Sequence, residues 1–320
     1  MMQLQQLNAQ FLNLIQLFVC LGLLSFMIIG CKAPQRITVY NYHNTFEPPN
    51  GIKIKANLYC DQTELSNASW REYQYWTARV FGKQSTKFLE TKIDTAVWLK
   101  TDSCLHTLFQ YYHRHPAYNN YPLVGISHKQ AEQFSKWRSD RVFEYYLVNN
   151  NFIPYDSFQT ADNYFTIEKY FKEELTNVVK DHRVKYYPNF RLPNLAERQV
   201  VLVYADSTNN AFLEQCKSKK CKDDLRTNLE IYANISPCPK ENSFAKATRP
   251  VWFSIFRKKH KGIYNIRGNV AEWAFENNTT FGGGWQDEQV QILANDTQVC
   301  TGTNAYTGFR NVFEWKKWEE

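Results

Sequence analysis

The first 30 residues contain no charged side chain, and the chain as a whole shows no internal repeat, no linker and no long basic arm. Glycine is sparse, with 12 residues, against 9 Trp, 20 Tyr and 22 Phe. Disordered proteins are poor in aromatic residues, so this composition predicts a folded chain. The net charge of +7 without a basic arm favours a solvated surface, and we expect no nucleic-acid partner.

The N-terminal region predicts export and membrane attachment. Residues 11–30 are almost wholly apolar and end in Ile28-Ile29-Gly30-Cys31, which resembles a bacterial lipoprotein signal. Residues 1–30 would then be a signal peptide, Cys31 the lipidated residue and residues 31–45 a tether. A signal peptide normally begins with a positive charge, so an uncleaved anchor is the alternative, because about 20 apolar residues can span a bilayer. Both interpretations place the protein in the cell envelope, and the first makes it an outer membrane lipoprotein.

Export would determine the redox environment of the six cysteines that follow Cys31. They are Cys60, Cys104, Cys216, Cys221, Cys238 and Cys300. An oxidising compartment permits disulfides, but six cysteines allow 15 pairings, and the sequence does not choose among them. A zinc site is less expected, since it would need closer pairs with histidines nearby.

Residues 268–273 (Gly-Asn-Val-Ala-Glu-Trp) form the most informative motif. A turn glycine, an amide, a carboxylate and a large aromatic side chain lie within six positions. Residues 281–285 (Phe-Gly-Gly-Gly-Trp) and 307–310 (Thr-Gly-Phe-Arg) follow. Three consecutive glycines predict that the backbone passes close to another part of the core.

Earlier blocks contain the start signals of helices. In residues 61–67 (Asp-Gln-Thr-Glu-Leu-Ser-Asn), Ser66 or Asn67 can cap a helix. Ser127 with Gln130 has capping-box spacing, and so does Asn194 with Glu197 in the block 190–198.

The order and spacing of these blocks resemble the formylglycine-generating-enzyme, or sulfatase-modifying-factor, family. The resemblance implies an irregular α+β domain over residues 46–316, of the C-type-lectin-like fold with little regular secondary structure. It further implies a core in which Trp70, Trp137, Trp273 and Trp285 surround Arg191, a buried ion-pair partner. Arg198 departs from the family, which has Trp at that position.

The same resemblance bears on catalysis. Active members hold copper on two cysteines that follow the glycine-rich block, and these positions correspond to Asp287 and Ile292 here. Soft thiolates bind Cu(I), whereas a carboxylate and an aliphatic group do not. We therefore expect no copper and no formylglycine formation. The alternative is an enzyme of altered chemistry that uses Asp287 or Glu288 as an acid or base.

The motif at 268–273 also implies a calcium site. In the family it supplies a side-chain amide oxygen, a backbone carbonyl and a carboxylate, which suit Ca²⁺. The corresponding residues are Asn269, Val270 through its carbonyl, and Glu272. The alternative is that Asn269 and Glu272 only satisfy buried backbone groups of the turn.

The remaining expectations concern loops and partners. We expect an extended excursion over residues 142–187 with one helix near 167–179, and a loop region from 206 to about 248. The basic residues 256–261 are either a solvated loop or a contact for an acidic partner or glycan. Lipoproteins that resemble this chain include some that act in gliding motility and type IX secretion, so an envelope protein or a glycan is the expected partner.

The lipoprotein interpretation predicts a mature protein that begins at Cys31 and partitions into detergent. Substitution Cys31→Ala should leave the precursor unprocessed, because the acylated thiol is lost. Mass spectrometry of the wild-type N-terminus is the measurement. A terminus at Met1 or Met2 would instead indicate an uncleaved anchor.

Overall fold

The structure is a computed structural model, and it describes residues 49–214, 219, 248–251, 262–287 and 297–319. All of them belong to one compact unit that spans residues 41–320. Cys31, the predicted signal peptide and tether, and the basic residues 256–261 lie outside the described residues. In the described part of the chain, no helix combines the length and apolar character needed to cross a membrane.

Helices and short strands are interspersed along the chain. The helices are α1 (Asn67–Phe81), α2 (Thr86–Leu89), α3 (Leu108–Tyr111), α4 (His128–Asn149), α5 (Ile167–Phe171) and α6 (Leu195–Glu214). The strands are β1 (Gly51–Lys55), β2 (Leu58–Asp61), β3 (Tyr186–Arg191), β4 (Ala271–Trp273), β5 (Thr279–Phe281), β6 (Thr297–Val299), β7 (Thr307–Gly308) and β8 (Val312–Lys317). This irregular mixture of helices and small sheets confirms the predicted α+β class.

The helix starts follow the predicted caps. Ser66 caps α1, and its hydroxyl accepts from the backbone N–H of Ser69 at 3.2 Å. Ser127 and Gln130 form a reciprocal capping box at the start of α4. At α6, the Asn194 side chain accepts from the N–H of Glu197 at 2.8 Å, and the Glu197 carboxylate accepts from the N–H of Asn194 at 3.1 Å. These local hydrogen bonds satisfy backbone donors that the first helical turn leaves unpaired.

The first sheet has the strand order β1-β2-β8-β3 and is antiparallel throughout. Helix α4 packs on β3, where the Ser139 hydroxyl accepts from the N–H of Phe190 at 2.9 Å. Strand β8 lies in the middle, so the last strand of the chain joins the first two to β3.

The second sheet has the order β6-β5-β4-β7, in which only β4 and β7 run parallel. Its glycines allow close approach of backbones. A Cβ atom added to Gly284 would lie 2.8 Å from the carbonyl oxygen of Tyr306, and one added to Gly308 would lie 2.5 Å from that of Leu123. Neither position can hold a larger residue without moving the backbone, which is the physical reason for glycine there.

The core is divided into several clusters, and this corrects the predicted single cluster around Arg191. Trp70 and Trp273 are buried in one cluster with Trp137 packed against it. Trp285 belongs to another cluster, where it stacks on Trp98 with ring centroids 6.3 Å apart. The side chain of Arg191 is 24% exposed and lies at the center of neither cluster.

Two predicted loops are partly helical. Helix α4 continues to Asn149 because Phe143 and Leu147, four residues apart on one face, are fully buried. Helix α6 continues to Glu214. The predicted helix near 167–179 is shorter and ends at Phe171, since Glu173 adopts a left-handed backbone with φ 58° that interrupts the helix.

Candidate functional site

A buried ion pair lies at the center of the motif that the sequence singles out. Glu272 on β4 and Arg310, two residues after β7, are each 1% exposed. Nε of Arg310 donates to both Glu272 oxygens, at 2.7 and 2.8 Å, and Nη2 donates to Oε1 at 2.5 Å. A second buried guanidinium, that of Arg198 on α6, lies 3.5 Å from Glu272 Oε2. The Glu272 carboxylate is therefore compensated by two arginines.

The remaining donors of Arg310 bind backbone carbonyls of two distant segments. They reach Asp61 at 3.2 Å and Gln62 at 3.4 Å, and also Tyr264 at 2.8 Å and Asn265 at 3.3 Å. The nearby carboxylates raise the pKa of Arg310, although burial acts in the opposite direction. Arg310 thus connects the end of β2, the segment before β4 and β4 itself.

Glu64 is a second buried carboxyl group in this cluster, 1% exposed. It accepts from the side-chain amides of Asn269 at 2.8 Å and Asn265 at 3.0 Å. Burial is the main cause that raises its pKa to about 8, and the charge of Arg310 opposes that shift. The neutral, protonated form of Glu64 therefore predominates at neutral pH.

A third ion pair belongs to the same cluster. Arg138 on α4 donates to both oxygens of Asp61, at 2.6 and 2.8 Å. The cluster therefore comprises the arginines Arg138, Arg198 and Arg310 and the carboxyl groups of Asp61, Glu64 and Glu272. It is neutral only when Glu64 is ionised, and while Glu64 is protonated the three arginines exceed the two remaining carboxylates by one charge.

The residues predicted to bind calcium make hydrogen bonds to other protein groups. Both oxygens of Glu272 are held by arginines, which would repel a cation. Asn269, with φ 60°, accepts the backbone N–H of Arg249 on its side-chain oxygen at 2.8 Å. Its carbonyl accepts the N–H of Trp285 at 2.9 Å, and Val270 is 1% exposed. These contacts satisfy buried groups of the fold, and the calcium site stays a prediction.

Asp287, which the resemblance aligns with the first family cysteine, closes the turn after the glycine run. Its Oδ2 accepts from the N–H of Gly284 at 2.6 Å and from the Gln298 side chain at 3.3 Å. Beside it, Trp285 is 2% exposed and its indole N–H donates to the carbonyl of Ala305 at 2.9 Å. Ile292 and Glu288 lie outside the described residues.

Arg191 makes ion pairs at the edge of the first sheet. It donates to both oxygens of Glu197 at 2.6 Å and to Glu314 at 3.2 Å. The buried arginines that contact the motif are instead Arg310 and Arg198, and Arg198 stands at the position where the resemblance expects Trp. The sequence contains a signal for the central pair, since Glu272 and Arg310 are the only charged residues in their two blocks. It contains none for Arg198.

The described cysteines are in different states. Cys60 and Cys300 are free and buried, and Cys104 is disulfide-bonded. Cys216, Cys221 and Cys238 lie outside the described residues. Burial raises the pKa of Cys60 to about 12, so its thiol stays protonated. In the described ranges, no group of three or more His, Cys, Asp or Glu side chains is placed to hold a metal ion.

The family model of the sulfatase-modifying factor enzyme 1-like domain matches residues 29–314. The chain belongs to this family. The match covers most of the chain and includes every block on which the resemblance was based.

Two solved structures are among those similar to this chain. CarF is 17% identical, with 80% of this chain and 86% of that chain covered and a TM-score of 0.39. Treponema denticola variable protein 1 is 14% identical, with 80% and 84% covered and a TM-score of 0.38. A comparison with curated proteins found no match.

We predict that Glu272→Gln lowers the free energy of unfolding by about 3–5 kcal/mol, because two buried arginines lose their counter-charge. Glu314→Gln is the matched control, since it removes a carboxylate from a pair that is partly exposed, and it should cost at most about 1 kcal/mol. Urea unfolding with and without chelator measures both. Equal stability of Glu272→Gln and Glu314→Gln, or loss of wild-type stability on chelation, would contradict this account of the motif.

We also predict a pH-dependent contribution from Glu64. Its pKa is raised from 4.5 to about 8 in the folded protein, so the stability it contributes is full below pH 4.5 and is lost as the pH rises through 8. The difference in unfolding free energy between wild type and Glu64→Gln should therefore shrink with rising pH, by at most about 1.4 kcal/mol per unit. Exposed Glu168→Gln is the control. A difference that stays constant from pH 5 to 8 would refute the assignment.

Proposed function

We propose that this protein is a membrane-anchored binding member of its family that does not oxidise cysteine. The observation that carries the proposal is the position of Asp287. The resemblance aligns Asp287 with a copper-binding thiol of active members, and its carboxylate is hydrogen-bonded within its own turn. An oxygen ligand in that place does not select Cu(I).

The two free cysteines among the described residues do not form a substitute pair. The sequence contains no cysteine between Cys238 and Cys300. Of the two free cysteines in the described part, Cys60 packs with β8 and α6, whereas Cys300 packs with Trp70 and Trp273. They belong to separate clusters of the core, and each is buried.

Attachment to the envelope rests on the lipobox that ends in Cys31. In this proposal the lipidated cysteine holds the domain at the outer membrane, where it binds an envelope protein or a glycan. Gliding motility and type IX secretion are the processes that the likeness to other envelope lipoproteins suggests. The retained motif then serves the fold, since its side chains are used to satisfy buried groups.

The alternative, an enzyme that uses Asp287 as an acid or base, has less support from the geometry. Asp287 Oδ2 already accepts two hydrogen bonds, and the neighbouring indole of Trp285 is buried. A catalytic carboxyl would need access to a substrate proton.

We predict that purified full-length protein, supplied with copper and oxygen, does not convert a cysteine in a sulfatase-derived peptide to formylglycine. Trapping of the aldehyde with a hydrazide probe and mass spectrometry is the measurement, and an active family member is the positive control. Restoring one thiol with Asp287→Cys should not restore activity, because a single thiolate cannot form the dithiolate site. Detection of aldehyde in the wild-type reaction would overturn the proposal.

A further inference from the structure

Three exposed aromatic side chains lie around one contact between α1 and the loop that follows α4. Phe158 is 84% exposed, Tyr155 75% and Tyr75 72%, and every other described Phe, Tyr or Trp is less exposed. The guanidinium of Arg79, one turn after Tyr75 on α1, donates to the carbonyl of Ser157 at 2.9 Å. Since residues four apart share one face of a helix, Tyr75 lies beside the loop. We call Tyr75, Tyr155 and Phe158 the aromatic tip.

The loop that carries two of these side chains is fixed at both of its ends. Ile153 and Gln159 are each 7% exposed. The side-chain oxygen of Gln159 accepts from the N–H of Phe165 at 2.9 Å and from the guanidinium of Arg141 at 3.3 Å. The core therefore holds the loop in place while its aromatic side chains face solvent. Little conformational freedom is lost when such a surface is covered, which favours binding.

The chain enters the domain close to this loop. Pro49 is the first residue that the structure describes, and its carbonyl accepts from Nη2 of Arg138 on α4 at 2.8 Å. Arg141, which binds Gln159, lies three positions further along the same helix. Residues at that spacing are neighbours, with about 5–6 Å between their Cβ atoms. Adjacent side chains of α4 thus hold the entry point of the domain and the end of the loop.

A lipid anchor at Cys31 would keep this side of the domain near the bilayer. The residues between Cys31 and Pro49 span at most about 60 Å even when fully extended. A tether of this length makes contact between the domain and the bilayer an intramolecular event with a high effective concentration. An apolar contact that is weak by itself is then populated.

The size and charge of the aromatic tip fit a bilayer better than a protein partner. Three aromatic side chains bury roughly 150–250 Å² each, whereas a stable protein partner covers about 800 Å². The charges beside the tip have both signs, since Arg79 contacts Ser157 and Asp156 accepts from the N–H of Phe158 at 2.8 Å. Attraction to the tip is therefore apolar in origin, and tyrosine rings suit the level of the lipid headgroups.

We propose that the aromatic tip contacts the bilayer that holds the lipid anchor and orients the domain on it. Phe158 enters the boundary of the acyl chains, and Tyr75 and Tyr155 lie among the headgroups. This inference rests on the proposed function, because it requires an anchored protein. It can nevertheless fail alone, since an anchored protein with its tip in water leaves the anchoring unchanged.

The test reads the surroundings of position 158 in the anchored protein. Full-length protein is purified from membranes and placed in nanodiscs of zwitterionic phosphatidylcholine, and Phe158→Cys is labelled with a small environment-sensitive fluorophore. Val299→Cys is the matched control, because Val299 is 85% exposed and lies on β6 of the second sheet. Protein without an added cysteine, labelled in the same way, gives the background from native thiols.

We expect doxyl-labelled lipid to quench the label at position 158 at least threefold more than the label at 299, and aqueous iodide to show the reverse. The pattern should persist at high salt, because screening weakens charge attraction and leaves apolar contact in place. Adding Tyr155→Ser to the Phe158→Cys protein should raise iodide quenching at least twofold and leave the melting temperature unchanged.

Equal quenching of the two labels in protein that has entered the nanodiscs would overturn the inference and leave the anchoring in place. The aromatic tip would then be free for a protein partner. Loss of lipid quenching at high salt would also overturn it, because the contact would be electrostatic. Protein that does not enter nanodiscs would contradict the proposed anchoring and this inference with it.

Discussion

The structure depends on the burial of the Glu272–Arg310 ion pair. Two charges that are each 1% exposed must be fully satisfied by their surroundings, because an unpaired buried charge costs several kcal/mol. Arg310 meets this demand with carbonyls from residues 61–62 and 264–265. Segments more than 200 residues apart in sequence are thereby held at one point. Short strands form few backbone hydrogen bonds between distant segments. The buried ion pair and its hydrogen bonds therefore hold these segments together to a greater extent than they would in a protein with a large sheet.

The ion pair also explains what the motif contributes to the fold. Glu272 and Asn269 are engaged by Arg310, Arg198, Glu64 and the backbone of Arg249. Asp287 is not among these contacts and closes the neighbouring loop. The motif is therefore part of the framework that holds distant segments together.

The local parts of the fold were predictable because their signals are short-range. The capping boxes at Ser127 and Asn194 and the cap at Ser66 involve residues three positions apart, and all three form as expected. The helix ends were not predictable. Helix α4 continues through Phe143 and Leu147 because their burial against other elements stabilises it, and α5 ends early at a left-handed Glu173. Such boundaries depend on contacts with residues distant in sequence, which a local sequence pattern does not specify.

The sequence by itself determined the family, the α+β class, the starts of the helices and the lack of a thiol at Asp287. These follow from residue identity and short spacing. Only the tertiary structure decided which charges pair. It placed Arg198 rather than Arg191 beside Glu272, brought Glu64 into the same cluster, and set Tyr75 beside the loop of Tyr155 and Phe158. The physical reason is that ion pairs and surface clusters join residues distant in sequence, and their energies depend on burial and geometry, which residue type alone does not specify.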